Sequence, residues 1–302
     1  MSTPFRGTYT VMITPFDEAG RVDLAALTRF TEWQIKQGIH GLIPLGSTGE
    51  FLSLTDEERD SVARTVVDVA AGRVPVLIGT GAEWTDTVVR DSRAAEAMGA
   101  DGVMIIPPFY STPTEDELFR HYERIGEAIS LPIMIYNNPA TTNIDMTPPI
   151  VARLSQIDNV SYIKESTLEV TRIRDILELC GDRMTVFGGI LGFESFVEGA
   201  EGWVAVGSNI MPREFARLFA LTADEKDYDA ARALYRDVLP IIRMVGGHHY
   251  VSATKAALRI IGQGVGEPRA PRLPVDATHH AQILDTLAKL ALAVPEQTRQ
   301  SA

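Results

Sequence analysis

The chain has 302 residues, 45% of them hydrophobic, enough for one large globular domain or two small ones. Lys and Arg number 28 against 40 Asp and Glu, a formal net charge of −12, which excludes a basic nucleic-acid footprint and repels phosphate backbones. The single cysteine, Cys180, permits no internal disulfide, no stretch reaches the ~20 apolar residues that span a bilayer, and Met1 to Gly7 lacks the apolar core of a signal peptide, so a soluble cytoplasmic protein without a membrane partner is expected.

Short β-branched apolar runs alternate with longer amphipathic ones. Strands are predicted at Thr8 to Thr14, Gly41 to Leu45, Pro75 to Gly79 and Gly102 to Ile106. Four more follow at Pro132 to Tyr136, Val160 to Lys164, Met184 to Gly189 and Trp203 to Gly207. Helices fit between them: after Asp23 as cap to Gly38, after the capping box Thr55-Asp56-Glu57-Glu58, then Asp86 to Met98 and Thr114 to Ile129. Thr147 to Leu154, Leu168 to Cys180, Phe193 to Glu198 and Pro212 to Thr222 complete the pattern.

Eight strand–helix units with strands apolar on both faces point to a parallel sheet, and at this length to a (β/α)8 TIM barrel. A doubly wound open sheet competes, but no G-x-G-x-x-G follows the first strand. Residues 225–302 change character, with helices expected at Tyr228 to Val245, Val251 to Ile261 and Asp276 to Ala293 around a Gly/Pro-rich turn, Gly262 to Pro274. The expected organisation is a barrel over 1–224 with a C-terminal helical extension, 225–302, packed on it.

Chemistry concentrates at three predicted strand ends, which a barrel gathers on one face. Lys164 stops an apolar run, and a desolvated lysine becomes an amine that attacks carbonyls; the bland alternative is a strand-end lysine paired with an acid such as Glu165. Gly46-Ser47-Thr48-Gly49-Glu50 offers backbone N–H groups and two hydroxyls, a neutral cradle for a carboxylate, or an ordinary strand–helix turn. Tyr136 supplies a phenol for proton transfer. The set suits a 2-oxo acid: carboxylate in the cradle, ketone at the amine, protons through the phenol. Gly188-Gly189-Ile190-Leu191-Gly192 either shapes the pocket, through Gly189, or is a plain turn. His248-His249 and His279-His280 are read as surface or packing residues, since adjacent positions on a helix diverge. Trp33, Trp84 and Trp203 are read as core or interface aromatics, Cys180 as a small core hydrophobe.

Through Gly46-Ser47-Thr48-Gly49-Glu50, Tyr136-Asn137-Asn138-Pro139 and Ile163-Lys164-Glu165-Ser166, in this order and spacing, the chain resembles the dihydrodipicolinate synthase/N-acetylneuraminate lyase family of class I pyruvate-type aldolases. The resemblance covers nearly the whole chain. It implies Lys164 as the Schiff-base lysine with no cofactor or metal, Tyr136 as proton relay, and Ser47 and Thr48 binding the 2-oxo carboxylate with Thr48 also linking the tyrosines. It further implies that the backbone carbonyl of Val204 orients the lysine and that Tyr110 reaches into a neighbouring subunit, so the active form is a homo-oligomer, commonly a tetramer. One departure stands out: Thr141 occupies the place of the arginine that holds the second substrate's carboxylate in true synthases. An uncharged, hydroxylated substrate tail is therefore expected, and 4-hydroxy-tetrahydrodipicolinate synthesis is the alternative. A metal-dependent aldolase and a non-catalytic 2-oxo-acid sensor are the competing classes.

Overall fold

The computed structural model describes residues 5–292. Eight strands form its centre: β1 (Gly7–Val11), β2 (Gly41–Ile43), β3 (Leu77–Gly79), β4 (Gly102–Ile105), β5 (Ile133–Asn137), β6 (Val160–Glu165), β7 (Thr185–Gly188) and β8 (Gly202–Ala205). Their order is β2-β1-β8-β7-β6-β5-β4-β3, every pair parallel. A parallel bridge between Leu42 and Val76, with Leu42 N–H donating to Pro75 O at 3.0 Å, joins the two ends and closes the TIM barrel.

Several strands are shorter than their apolar runs because the backbone stops pairing first. Pro44 has no N–H and Leu45 has φ 60°, in the left-handed region, so β2 ends at Ile43. Pro75 likewise removes a donor, leaving Val76 as an isolated bridge before β3.

Helices cover the outer face, except the short α5, which lies at the strand ends: α1 (Leu24–Lys36), α2 (Asp56–Ala70), α3 (Thr85–Met98), α4 (Glu115–Gly126), α5 (Pro139–Thr142), α6 (Pro148–Leu154), α7 (Thr171–Cys180), α8 (Gly192–Val197) and α9 (Pro212–Phe219). The predicted caps form. Asp23 accepts from Ala26 N–H at 2.8 Å, and the Thr55–Glu58 box closes in both directions at 3.0 and 3.2 Å. The helix expected from Leu168 starts later, because the Glu165 carboxylate accepts the Thr167 N–H at 2.7 Å and holds the intervening loop away from helical geometry. The short α5 lies directly after Asn138, outside the eight helices read from the sequence. After α9 the chain makes a π-helical turn, Ala220–Asp224.

The C-terminal helices are α10 (Tyr228–Met244), α11 (Tyr250–Ile260) and α12 (Ala277–Lys289). The last was expected to reach Ala293, which lies outside the described residues. Along β6, Tyr162 and Lys164 share the inward face because side chains alternate along a strand. Phe5, Tyr9, Tyr162 and Phe187 pack as an aromatic plug inside the barrel, with Tyr9 and Phe187 edge to face at 5.3 Å. Cys180 and Trp203 are buried, and Trp33 packs against the core. Of the two readings of Trp84, core or interface, the core one is excluded: it is the N-cap residue of α3, with 68% of its surface exposed.

Candidate active site

Above the plug lies a cavity of about 450 Å³, whose wall includes Ser47, Thr48, Tyr136, Lys164 and Gly189. Three strand ends therefore meet, as the barrel requires. Lys164 and Tyr136 are in direct register across β5 and β6, which sets the lysine Nζ 3.9 Å from the centroid of the phenol ring.

Lys164 is 5% exposed, and burial alone holds its ammonium down to about 7. The bland alternative, pairing with Glu165, fails on strand geometry. Glu165 is the next residue and points to the other face, where it accepts from Asn137 Nδ2 at 2.9 Å and from Thr167 N–H. Among the described residues no carboxylate forms an ion pair with Lys164. A buried amine with no counter-charge is a group adapted to being neutral.

Burial pushes the Tyr136 phenol above the ordinary tyrosine value, while Asn138 and Ser166 pull it back. Asn138 Nδ2 donates to the phenol oxygen at 3.0 Å. The expected link from Thr48 to this tyrosine is not made; Asn138 takes that place, because the chain turns into α5 immediately after it and brings its amide back over the ring.

Ser47-Thr48-Gly49 forms one 3-10 turn, with Gly49 N–H donating to Gly46 O at 3.0 Å and Glu50 N–H to Ser47 O at 3.2 Å. Gly49 is closely approached, since a Cβ there would lie 3.0 Å from Met12 O, and Thr14 Oγ1 donates to its carbonyl at 2.7 Å. Gly46 itself is not in the wall of the main cavity. It opens the turn against Val11, where a Cβ would lie 2.7 Å from Val11 Cγ2. Gly189 is in the wall, and a Cβ there would overlap Ser166 Oγ.

Besides Gly46, two predicted site residues are not brought to the cavity wall. Val204 is wholly buried in β8 in register with Tyr9, and its side chain is not part of the wall. Tyr110 projects from the loop after β4 with 88% of its surface exposed. That loop is nonetheless firmly built: Glu83 accepts the N–H groups of Phe109, Tyr110 and Ser111 at 3.0, 3.0 and 2.8 Å.

A further wall comes from the connection between α10 and α11 and the start of α11, with Val245, Gly246, His248 and Tyr250 bordering the cavity. No local signal marks them; they reach the site only through the packing of α10 and α11 on the barrel. Thr141 sits on α5, bonded through Oγ1 to Asn138 O at 3.2 Å. It also borders a smaller adjoining cavity of about 150 Å³ that contains Arg272. A cation thus stands near Thr141 after all, delivered by a segment 131 positions downstream, 272 less 141. Among the described residues no group of three or more His, Cys, Asp or Glu side chains is placed to hold a metal. His249 packs against His279 with the rings tilted at 45° and their centroids 4.9 Å apart. A further cavity of about 250 Å³ between α2 and α3 has its Arg59 and Arg90 already paired with Asp56 and Asp91, and does not touch Lys164.

Residues 4–290 match the model of the dihydrodipicolinate synthetase family. Relatives include proteins named 4-hydroxy-tetrahydrodipicolinate synthase from Syntrophobacter fumaroxidans, 36% identical over 95% of this chain and 99% of that one, and from Thermodesulfovibrio yellowstonii, 33% identical over the same shares. Dihydrodipicolinate synthase from Aquifex aeolicus superposes with a TM-score of 0.92 at 30% identity, over 97% of this chain and all of that one. The Acinetobacter baumannii enzyme, solved in complex with pyruvate, superposes with 0.92 at 29%, over 95% and 99%. A closed barrel, a lysine and tyrosine in register and a hydroxyl-bearing turn, in a chain that these relatives cover to 95% or more, make one assignment: the chain belongs to the dihydrodipicolinate synthetase family, whose members are class I, Schiff-base lyases.

Proposed function

We propose that this chain is a lyase for a pyruvate-type 2-oxo acid and that Lys164 carries the imine. The observation that supports it is the buried amine, without a carboxylate partner, set against the Tyr136 ring in a cavity that a hydroxyl-bearing turn also borders. The Lys164 amine adds to C2 of the oxo acid; the C2 oxygen leaves as water, with its proton delivered through Tyr136. The resulting iminium draws electrons from C3. Loss of a C3 proton gives an enamine that adds to an aldehyde or expels a hydroxyl from C4, and the reverse of the addition breaks the C3–C4 bond.

Ser47 and Thr48 hold the carboxylate through their hydroxyls and the N–H groups of the turn. The Val204 carbonyl orients the lysine, and Tyr110 completes the site of a neighbouring copy in a homo-oligomer. Thr141 and Gly189 shape the seat of the substrate tail. A tail without charge fits the threonine. A second reading is synthesis of 4-hydroxy-tetrahydrodipicolinate, the product in the relatives' name, and Arg272 favours it: a half-buried guanidinium bordering the same side of the site as Thr141 suits an acidic acceptor.

Borohydride reduction in the presence of pyruvate, followed by mass spectrometry, tests the imine. One pyruvate-derived adduct on the wild type and none on Lys164→Ala is expected; an adduct on the variant, or none on the wild type, refutes it. Turnover of matched aldehydes with and without a carboxylate then decides between the two tails.

A further inference from the structure

Behind the Ser47–Gly49 turn lies an ion pair that the chemistry above does not use. Lys255 of α11 meets Glu50 at 2.7 Å, and neither side chain has any solvent exposure. Lys255 also donates to the Glu267 carbonyl at 3.1 Å and sits 4.0 Å from the centroid of the Phe16 ring. The other Glu50 oxygen accepts the Arg269 peptide N–H at 2.9 Å. The Arg269 guanidinium in turn grips both oxygens of Glu58 at 2.7 Å and the Ser53 carbonyl at 2.6 Å. One carboxylate thus receives α11 and the segment after it, 205 positions away by 255 less 50, directly at the end of the candidate cradle.

Glu50 has φ 56°, in the left-handed region that side chains seldom adopt, and such a conformation persists only where the surroundings over-determine it. Its N–H closes the turn onto Ser47 O. A buried ion pair contributes little net stability against an apolar pair of equal volume. What it does contribute is direction, because the carboxylate has to sit where the ammonium and the Arg269 N–H are.

We propose that Lys255, together with the Arg269 segment, is a positioning residue for the carboxylate cradle. By holding Glu50 it keeps the Ser47–Gly49 turn in the conformation that presents Ser47 and Thr48 to the carboxylate of a 2-oxo acid. This rests on the Lys164 imine reading, since the cradle matters only if the oxo acid binds there.

The test compares borohydride trapping of pyruvate with that of acetone, a ketone without a carboxylate. Both report the same lysine, and only pyruvate uses the cradle. Glu50→Gln, which keeps the volume and loses the charge, and Lys255→Met are each expected to lower the pyruvate-to-acetone trapping ratio at least tenfold, with acetone trapping changed less than about threefold. A general loss of structure would lower both rates together. Where Lys255→Met does not accumulate folded, the double variant with Glu50→Gln leaves no buried charge and reads the same ratio. A ratio equal to wild type in variants with wild-type circular dichroism overturns the proposal while leaving the imine intact. A wild type that traps neither ketone overturns the imine reading and this proposal with it.

Discussion

Replacing Lys164 by Met removes the amine and keeps an unbranched side chain of similar volume. Burial holds the lysine at about 7 against an ordinary value of 10.5. Between those two values the unfolded chain keeps a proton that the folded chain has released, so stability rises with pH there. Below the folded value both states are protonated and the full penalty of a buried ammonium stands; above the unfolded value neither is, and the penalty is gone. At 1.36 kcal/mol for each tenfold change in proton affinity, the penalty is roughly 5 kcal/mol at the acid limit, about 4 at pH 7 and about 2 at pH 9. Relative to wild type, Lys164→Met should therefore gain most in Tm at neutral pH, and the gain should shrink steadily as pH rises. Thermal unfolding of both proteins in parallel, from about pH 6.5 to about pH 10, checks this, because titration of every other distant group cancels in the difference. A Tm difference that stays flat across that range refutes a depressed lysine and with it the free amine at neutral pH. The same depression leaves about half of Lys164 unprotonated at pH 7, where an ordinary lysine would have about one in 3000.

Tyr136→Phe should keep the fold and still trap pyruvate, with turnover falling about 10²- to 10⁴-fold, the usual share of a positioned proton-transfer group; initial rates and trapping on the same preparation measure it, and unchanged turnover removes the phenol from the mechanism. If Tyr110 acts across subunits, Lys164→Ala and Tyr110→Ala proteins, each inactive alone, should recover about a quarter of wild-type activity after dissociation and random reassociation as dimers; no recovery places Tyr110 outside the neighbour's site. Gly189→Ala puts a methyl into Ser166 Oγ and should raise KM for the oxo acid and lower Tm, with KM falling and Tm rising part of the way back in Ser166→Ala/Gly189→Ala, which removes the Oγ contact. Activity of the single variant equal to wild type would show that this wall yields freely.

Strand ends were the legible part of the site. Lys164, Tyr136 and the Ser47–Thr48 turn each follow an apolar run, and any closed parallel barrel sends the ends of such runs to one mouth, so topology alone predicted their meeting. Boundaries were less legible: Pro44, Pro75 and the left-handed Leu45 cut strands that hydropathy would have extended. Trp84 reads from the sequence as core or interface, and its exposure at the N-cap of α3 removes the core option, because size and apolarity say nothing of which way a residue at a helix start will face.

What the amino-acid order determined by itself was periodic or local: eight alternating units, the Asp23 cap and the Thr55–Glu58 capping box, the acidic balance of charge and a lysine at a strand end. What only the tertiary structure decided was long-range. Asn138 folds back onto the Tyr136 phenol through a helical turn with no clear pattern in the sequence. Tyr250 and Arg272 approach Thr141 from the far end of the chain, and Lys255 meets Glu50 in a space neither residue's neighbours reveal. Hydrophobic period encodes which face of an element turns inward, but not which side chains of distant elements then face one another. That second fact emerges only when packing has fixed every register at once.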